Sequence, residues 1–135
     1  MSDNKYGQIS EGWLQGCEHI PSPNYGERPA GATVELVVIH NISLPPGEFG
    51  GPHVAELFTN TLDPQGHPYF EEIADLRVSA HFLIRRDGHV IQLVSTKDMA
   101  WHAGVSQWRN REKGNEFSLG IELEGTDTHL YTREQ

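Results

Sequence analysis

The stretch VELVVIHNISLPPG, Val34 to Gly47, constrains this chain more than any other. Val34, Val37, Val38 and Ile39 are β-branched, and their stiff side chains fit a pleated strand. The run ends on His40, and the turn Pro45-Pro46-Gly47 then takes the backbone off the strand. Near-continuous apolar character predicts a strand over Val34–His40, buried on both faces in a sheet covered by helices. Any fold built on it delivers an imidazole to the place where the chain leaves the sheet. That position suits a metal ligand. It suits equally a turn histidine satisfied by a hydrogen bond. The loop NISLPPGEFGG adds weight to the first reading, since long ordered loops at strand ends tend to carry function.

The remaining elements are read outward from this strand. Ser79–Arg85 and His89–Val94 alternate as strands around Asp87-Gly88, a two-residue hairpin turn. Phe117–Glu124 is the last clear strand. Its Phe117, Leu119, Ile121 and Leu123 point one way, and Ser118, Gly120, Glu122 and Glu124 the other. His53–Thr59 and Tyr69–Asp75 read as short helices, the first with Val54, Leu57 and Phe58 on one side. Before Val34, PSPNYGERP reads as an ordered loop, pinned to the core by Trp13, Leu14 and Tyr25. The expected class is α/β, or α+β in some schemes: a mixed central sheet flanked by helices.

Size and charge narrow the function. With 135 residues the chain makes one domain and not two. A formal net charge of −9 argues against a general nucleic-acid or anionic-membrane partner, while leaving room for a local cationic pocket. Cys17 is the only cysteine, so neither an internal disulfide nor a CxxC motif is available. The polar start MSDNKYGQIS has no secretory pattern, and no apolar run nears the roughly 20 residues of a membrane span. A soluble cytoplasmic protein is the expectation.

Three groups carry candidate chemistry. His40 is the first. Glu122 and Glu124 are the second: in a partly dry cleft, with Gly120 leaving space beside it, Glu122 would have a raised pKa and serve as a general base. Two solvated glutamates on an exposed face fit the same pattern. The third is AWHAG, where Trp101 offers a flat wall for a sugar or peptide, and where a core edge is the bland alternative. His53, His67, His89 and His129 show no ligand spacing. HExxH, P-loop and G-x-S-x-G motifs are absent, so a serine or cysteine nucleophile is unsupported.

The last residues, Thr132-Arg133-Glu134-Gln135, have the S/T-x-x-E/Q form of a capping box, which announces a helix. The chain stops at its third position, too early for an isolated turn to persist. Residues 1–135 are therefore expected to be a single domain, incomplete at its C-terminal side.

Taken together, EGWLQGCEHIPSPNYGERP, VVIHNISLPPGEFGG, SAHFLIRRDGHVIQLV, AWHAGVSQWRNRE and FSLGIELEGTD resemble a family. It is that of the cytoplasmic 1,6-anhydro-N-acetylmuramoyl-L-alanine amidases of bacterial wall recycling. AWHAG and SAHFLI recur in the wider group of zinc amidases and peptidoglycan-recognition proteins. The resemblance implies hydrolysis of the amide between the lactyl group of anhydro-muramic acid and L-alanine of the stem peptide, and through it a link to β-lactamase induction. It implies Zn²⁺ held by two histidines and an aspartate. His40 matches the first histidine, and Glu122 the acidic catalytic residue. The other two ligands and a catalytic lysine are expected beyond Gln135. The chain as written is then expected to hold zinc poorly and to be inactive or nearly so, with substitution by His81 or His102 disfavoured. Asn41, Arg77, Trp101 and Lys113 are the expected substrate contacts, with Arg109 and Arg111 beside Lys113; a solvated charged loop is the alternative for that cluster. A non-catalytic peptidoglycan-fragment binder is the rival function. The expected partner is the muropeptide alone, with no nucleic acid and no membrane.

Overall fold

The computed structural model describes residues 5–135. In chain order the strands begin with β1 (Ile9–Ser10), β2 (Trp13–Leu14), β3 (Glu18–His19), β4 (Tyr25–Glu27) and β5 (Leu36–Ile42). Helices α1 (His53–Phe58) and α2 (Pro68–Ile73) follow, then β6 (Phe82–Ile84), β7 (Val90–Gln92) and β8 (Asp98–Ala100). β9 (Gln107–Trp108), β10 (Arg111–Glu112), a 3-10 turn at Gly114–Phe117 and β11 (Ser118–Glu124) complete the order. The architecture is α+β.

The main sheet has five strands in the order β3-β7-β6-β11-β5. β6 and β7 form the expected antiparallel hairpin around Asp87-Gly88, whereas β11 runs parallel to both β6 and β5. In a parallel pair, residues in register share a face. His40 is in register with Glu122, and Val38 with Gly120. One face of this pair therefore carries Val38, His40, Gly120 and Glu122; the other carries Val37, Ile39, Leu119 and Ile121.

The helices and the loops around them cover the first of these faces. Val54, Leu57 and Phe58 of α1 and Phe70 of α2 pack with Leu83, Ile91 and Leu93 of the hairpin region. Each such buried side chain contributes roughly 1.5–3 kcal/mol. Helix α2 begins as its sequence dictates: Pro68 takes the first position, and the His67 ring accepts the Tyr69 N–H at 3.0 Å.

Two expectations about β5 change. Val37 and Ile39 are each 52% exposed, so the strand is buried on one face and not on both. The reason is that α1 and α2 pack on the opposite face of the sheet, while β5, as the edge strand, has β11 as its one neighbour. The strand also continues two residues past His40, to Ile42. The Gly-Pro-rich arm is mostly loop as expected, but Tyr25–Glu27 adds a short antiparallel pairing with Asp98–Ala100. At Thr132–Gln135 both bonds of the capping box are made. The Gln135 side chain accepts the Thr132 N–H at 3.0 Å, and the Thr132 hydroxyl accepts the Gln135 N–H at 3.3 Å.

Candidate active site

A cleft of about 470 Å³ opens where β5 and β11 leave the sheet. Its apolar wall includes Leu57, Phe58, Ile73 and Trp101. Its polar end holds Asn41, His102, Glu122 and Asp127. Ser79 fixes the wall beside Trp101: its hydroxyl accepts the Trp101 N–H at 3.0 Å and donates to the Asn24 carbonyl at 2.6 Å.

Glu122 sits on the covered face of β11 and is only 8% exposed. Its Oε2 is buried without any hydrogen-bond partner. Removal from water disfavours the carboxylate, and burial alone pushes its pKa up to about 8. Such a group is mostly neutral at pH 7 and able to exchange a proton near it. Glu124, two residues on, is also buried, but its oxygens accept the Gly50 N–H at 2.8 Å and the Arg86 N–H at 3.1 Å. Neither glutamate is solvated.

His40 stands beside Glu122 on the neighbouring strand and is half-buried, which lowers its pKa. It does not line the cleft itself. Its Nε2 lies 2.9 Å from Nδ1 of His102, and His102 forms part of the cleft wall. The other ring nitrogen of His102 is 3.0 Å from the Ser118 hydroxyl. Burial, together with the charges of His40, His81 and Arg28, drives the His102 pKa down to about 3. Both rings are neutral near pH 7.

Behind them lies His81, fully buried, whose Nδ1 accepts the Gly120 N–H at 3.0 Å and whose Nε2 faces the Asp98 carbonyl at 2.8 Å. A lone pair on Nδ1 leaves the proton on Nε2, so its tautomer is fixed by the backbone. Burial lowers its pKa to about 4. Arg28 completes this layer by donating to the carbonyls of Thr96, Asn115, Glu116 and Ser118.

Of the residues singled out in the sequence, Asn41, Trp101 and Glu122 line the cleft, and His40 reaches it through His102. Arg77 is exposed and donates to its neighbour's carbonyl at Leu76. Lys113 lines a separate cavity with Val105 and Glu112. Arg111 pairs with Glu35 and lies over the Phe117 ring, while Arg109 lies over Trp108. Nothing in the sequence singles out Ser118 or Asp127. Asp127 accepts the Asn41 side-chain N–H at 2.8 Å, which leaves the Asn41 carbonyl oxygen free. No motif signals this contact, because the partners lie 86 positions apart.

Among the described residues, no three His, Cys, Asp or Glu side chains converge as a metal cage. One histidine whose Nε2 already faces another ring is not a catalytic metal site, which needs about three protein ligands and an open position. The described residues on their own therefore do not fit a bound zinc. Nor is any helix among them long and apolar enough to cross a membrane.

Residues 30–135 match the family model described as N-acetylmuramoyl-L-alanine amidase. The chain is 61% identical over 127 residues to the 1,6-anhydro-N-acetylmuramyl-L-alanine amidase AmpD of Escherichia coli strain K12, covering 94% of this chain and 69% of that protein. It is 50% identical over 131 residues to the enzyme of the same name from Haemophilus influenzae, covering 97% and 71%. The crystal structure of a selenomethionine AmpD derivative superposes with a TM-score of 0.93 at 58% identity, covering 96% of this chain and 72% of that one. The cleft with its buried acid, the sheet order and these likenesses agree, and the chain belongs to the N-acetylmuramoyl-L-alanine amidase family.

Proposed function

We propose that this chain carries the cleft and the acid–base residue of an amidase acting on 1,6-anhydro-N-acetylmuramoyl peptides. The bond cleaved joins the lactyl group to L-alanine. The observation that carries this reading is Glu122: buried, with one oxygen unbonded, on the wall of the cleft, and with a pKa raised to about 8. A general base works best when its pKa lies near the working pH. In its ionised form Glu122 takes a proton from the attacking water as the water oxygen bonds to the amide carbon. It returns that proton to the alanine nitrogen as the C–N bond breaks. Trp101 and the apolar wall support the sugar ring, and the free Asn41 carbonyl oxygen accepts an N–H of the substrate. Arg77 and Lys113 serve the peptide carboxylates further out.

Amidases of this family generally use zinc. An ion bound here would supply Lewis-acid polarisation of the amide carbonyl. His40 is the donor this chain offers it. The described residues do not complete a ligand set, so no step above passes through the metal. On this reading the enzyme works in the cytoplasm on recycled wall fragments, and it influences β-lactamase induction where that circuit exists.

The test is hydrolysis of anhydro-muropeptide by the purified protein with zinc supplied. Glu122→Ala should lower turnover by roughly 10²–10⁴, and His40→Ala should abolish it. Unchanged turnover in Glu122→Ala removes Glu122 from the mechanism. Tight muropeptide binding with no hydrolysis by the wild type would instead favour a non-catalytic binder.

A further inference from the structure

Ser118, His102 and His40 form a single hydrogen-bonded row. The Ser118 hydroxyl is 3.0 Å from His102 Nε2, and His102 Nδ1 is 2.9 Å from His40 Nε2. A neutral imidazole has one N–H and one lone pair. One proton fits between the two rings, and it fixes both of them. If it belongs to His102, then both rings carry their proton on Nδ1. If it belongs to His40, both carry it on Nε2.

Ser118 breaks the tie. It is wholly buried, and among the described residues His102 Nε2 is the one acceptor within reach of its hydroxyl. A buried O–H without an acceptor is costly, so Ser118 donates to Nε2. His102 must then carry its proton on Nδ1 and donate it to His40. On one side the ring lies against Gly120: a Cβ built there would fall 2.4 Å from it.

We propose that His102 is a positioning residue for His40, and that Ser118 sets the direction of the row, so that the one lone pair of His40 is capped by the His102 N–H. In this arrangement His40 has no lone pair to give to a metal or to a substrate proton. It becomes a donor in two ways: the row reverses, moving each ring's proton from Nδ1 to Nε2, or the His40 ring swings away from His102. The inference deepens the reading of His40 given above and rests on that reading for its relevance to catalysis.

The experiment is two-bond ¹⁵N–¹H correlation spectroscopy of the histidine-labelled, metal-free 135-residue protein near neutral pH. His40 and His102 should both carry the proton on Nδ1. Ser118→Ala should remove that preference from both rings together, and Ser118→Thr, which keeps the hydroxyl, should restore it. A purely structural role for Ser118 would not move ring protons 2.9 Å beyond its own partner. A wild-type spectrum with His40 protonated on Nε2 overturns the inference, whether or not the variants fold. So does an unchanged pattern in folded Ser118→Ala. These spectra involve no turnover, so their failure is distinct from that of the proposed function. Hydrolysis surviving His40→Ala sinks the latter while rings protonated on Nδ1 still support the former.

Discussion

Glu122 and Glu124 lie two positions apart on the same buried face of one strand, and only Glu124 has hydrogen-bond partners for its carboxylate. Identical side chains thus take opposite duties. Glu124 receives two backbone N–H groups and ties the Gly50 and Arg86 loops to the sheet. Glu122 keeps an unbonded oxygen in a dry wall, where a proton can come and go.

The raised pKa of Glu122 makes stability depend on pH. Its unfolded value is about 4.3 and its folded value about 8. Between these the folded state holds more protons than the unfolded one, so stability falls as pH rises and levels off above about 8. Glu122→Gln should lack this loss and exceed the wild type by about 2–5 kcal/mol above pH 8, with little difference near pH 4. Urea midpoints at several pH values measure it. Parallel profiles for the two proteins would refute it.

The same group shapes the rate. As the base, Glu122 acts when ionised, and burial raises its pKa, so turnover should rise with pH across the neutral range and then flatten. A Glu122→Asp variant, with its carboxylate withdrawn by one methylene, should be slower and shift the inflection. A profile flat from pH 5 to 8 is inconsistent with this role.

Glu124→Ala removes the acceptor for two backbone N–H groups. Each group left unsatisfied costs about 1–3 kcal/mol, so a total loss of about 2–6 kcal/mol is expected. Glu124→Gln keeps one good acceptor oxygen and should lose about half as much. Thermal or urea unfolding decides; a loss below about 0.5 kcal/mol in the alanine variant would mean that the loops are held by other contacts.

Gly120→Ala sets a methyl group against the His102 ring, 2.4 Å from its Cγ and 2.7 Å from Nδ1. Overpacking of this kind costs about 1–3 kcal/mol. Because the ring is the part that must yield, the contact with His40 should be lost as well, visible as a changed His40 signal in histidine-labelled spectra. A variant as stable as the wild type, with the His40 signal in place, would show slack that the packing here denies.

Zinc content gives the simplest check on the metal. Without three converging donors among the described residues, the 135-residue polypeptide should retain well under one equivalent of zinc after dialysis, since an open site needs about three protein ligands. One tightly held equivalent by metal analysis would contradict this.

Much of the sheet was legible from local pattern. Asp87-Gly88 between alternating runs gave the hairpin, and the β-branched stretch gave β5 to within two residues. Alternation also divided β11 correctly into two faces. For β5 it misjudged which faces are covered, because burial depends on neighbours that a strand's own sequence does not name. The polar row Ser118, Gly120, Glu122 and Glu124 faces inward, while Val37 and Ile39 face solvent. Glu122 and His40 stood out as single residues, but their placement in register did not, since pairing joins segments some eighty positions apart. Ser118 and Asp127 left no signal, being ordinary polar residues whose roles come only from contact.

The ladder that sets His40 beside Glu122 is made of main-chain N–H and C=O groups, which every residue but proline supplies alike. Alignment of the two side chains is thus indifferent to what decorates the outer face of the same strands. Val37 and Ile39, the exposed members of that face, are therefore independently editable positions. They can be changed for solubility, labelling or immobilisation while the inner pair keeps its spacing.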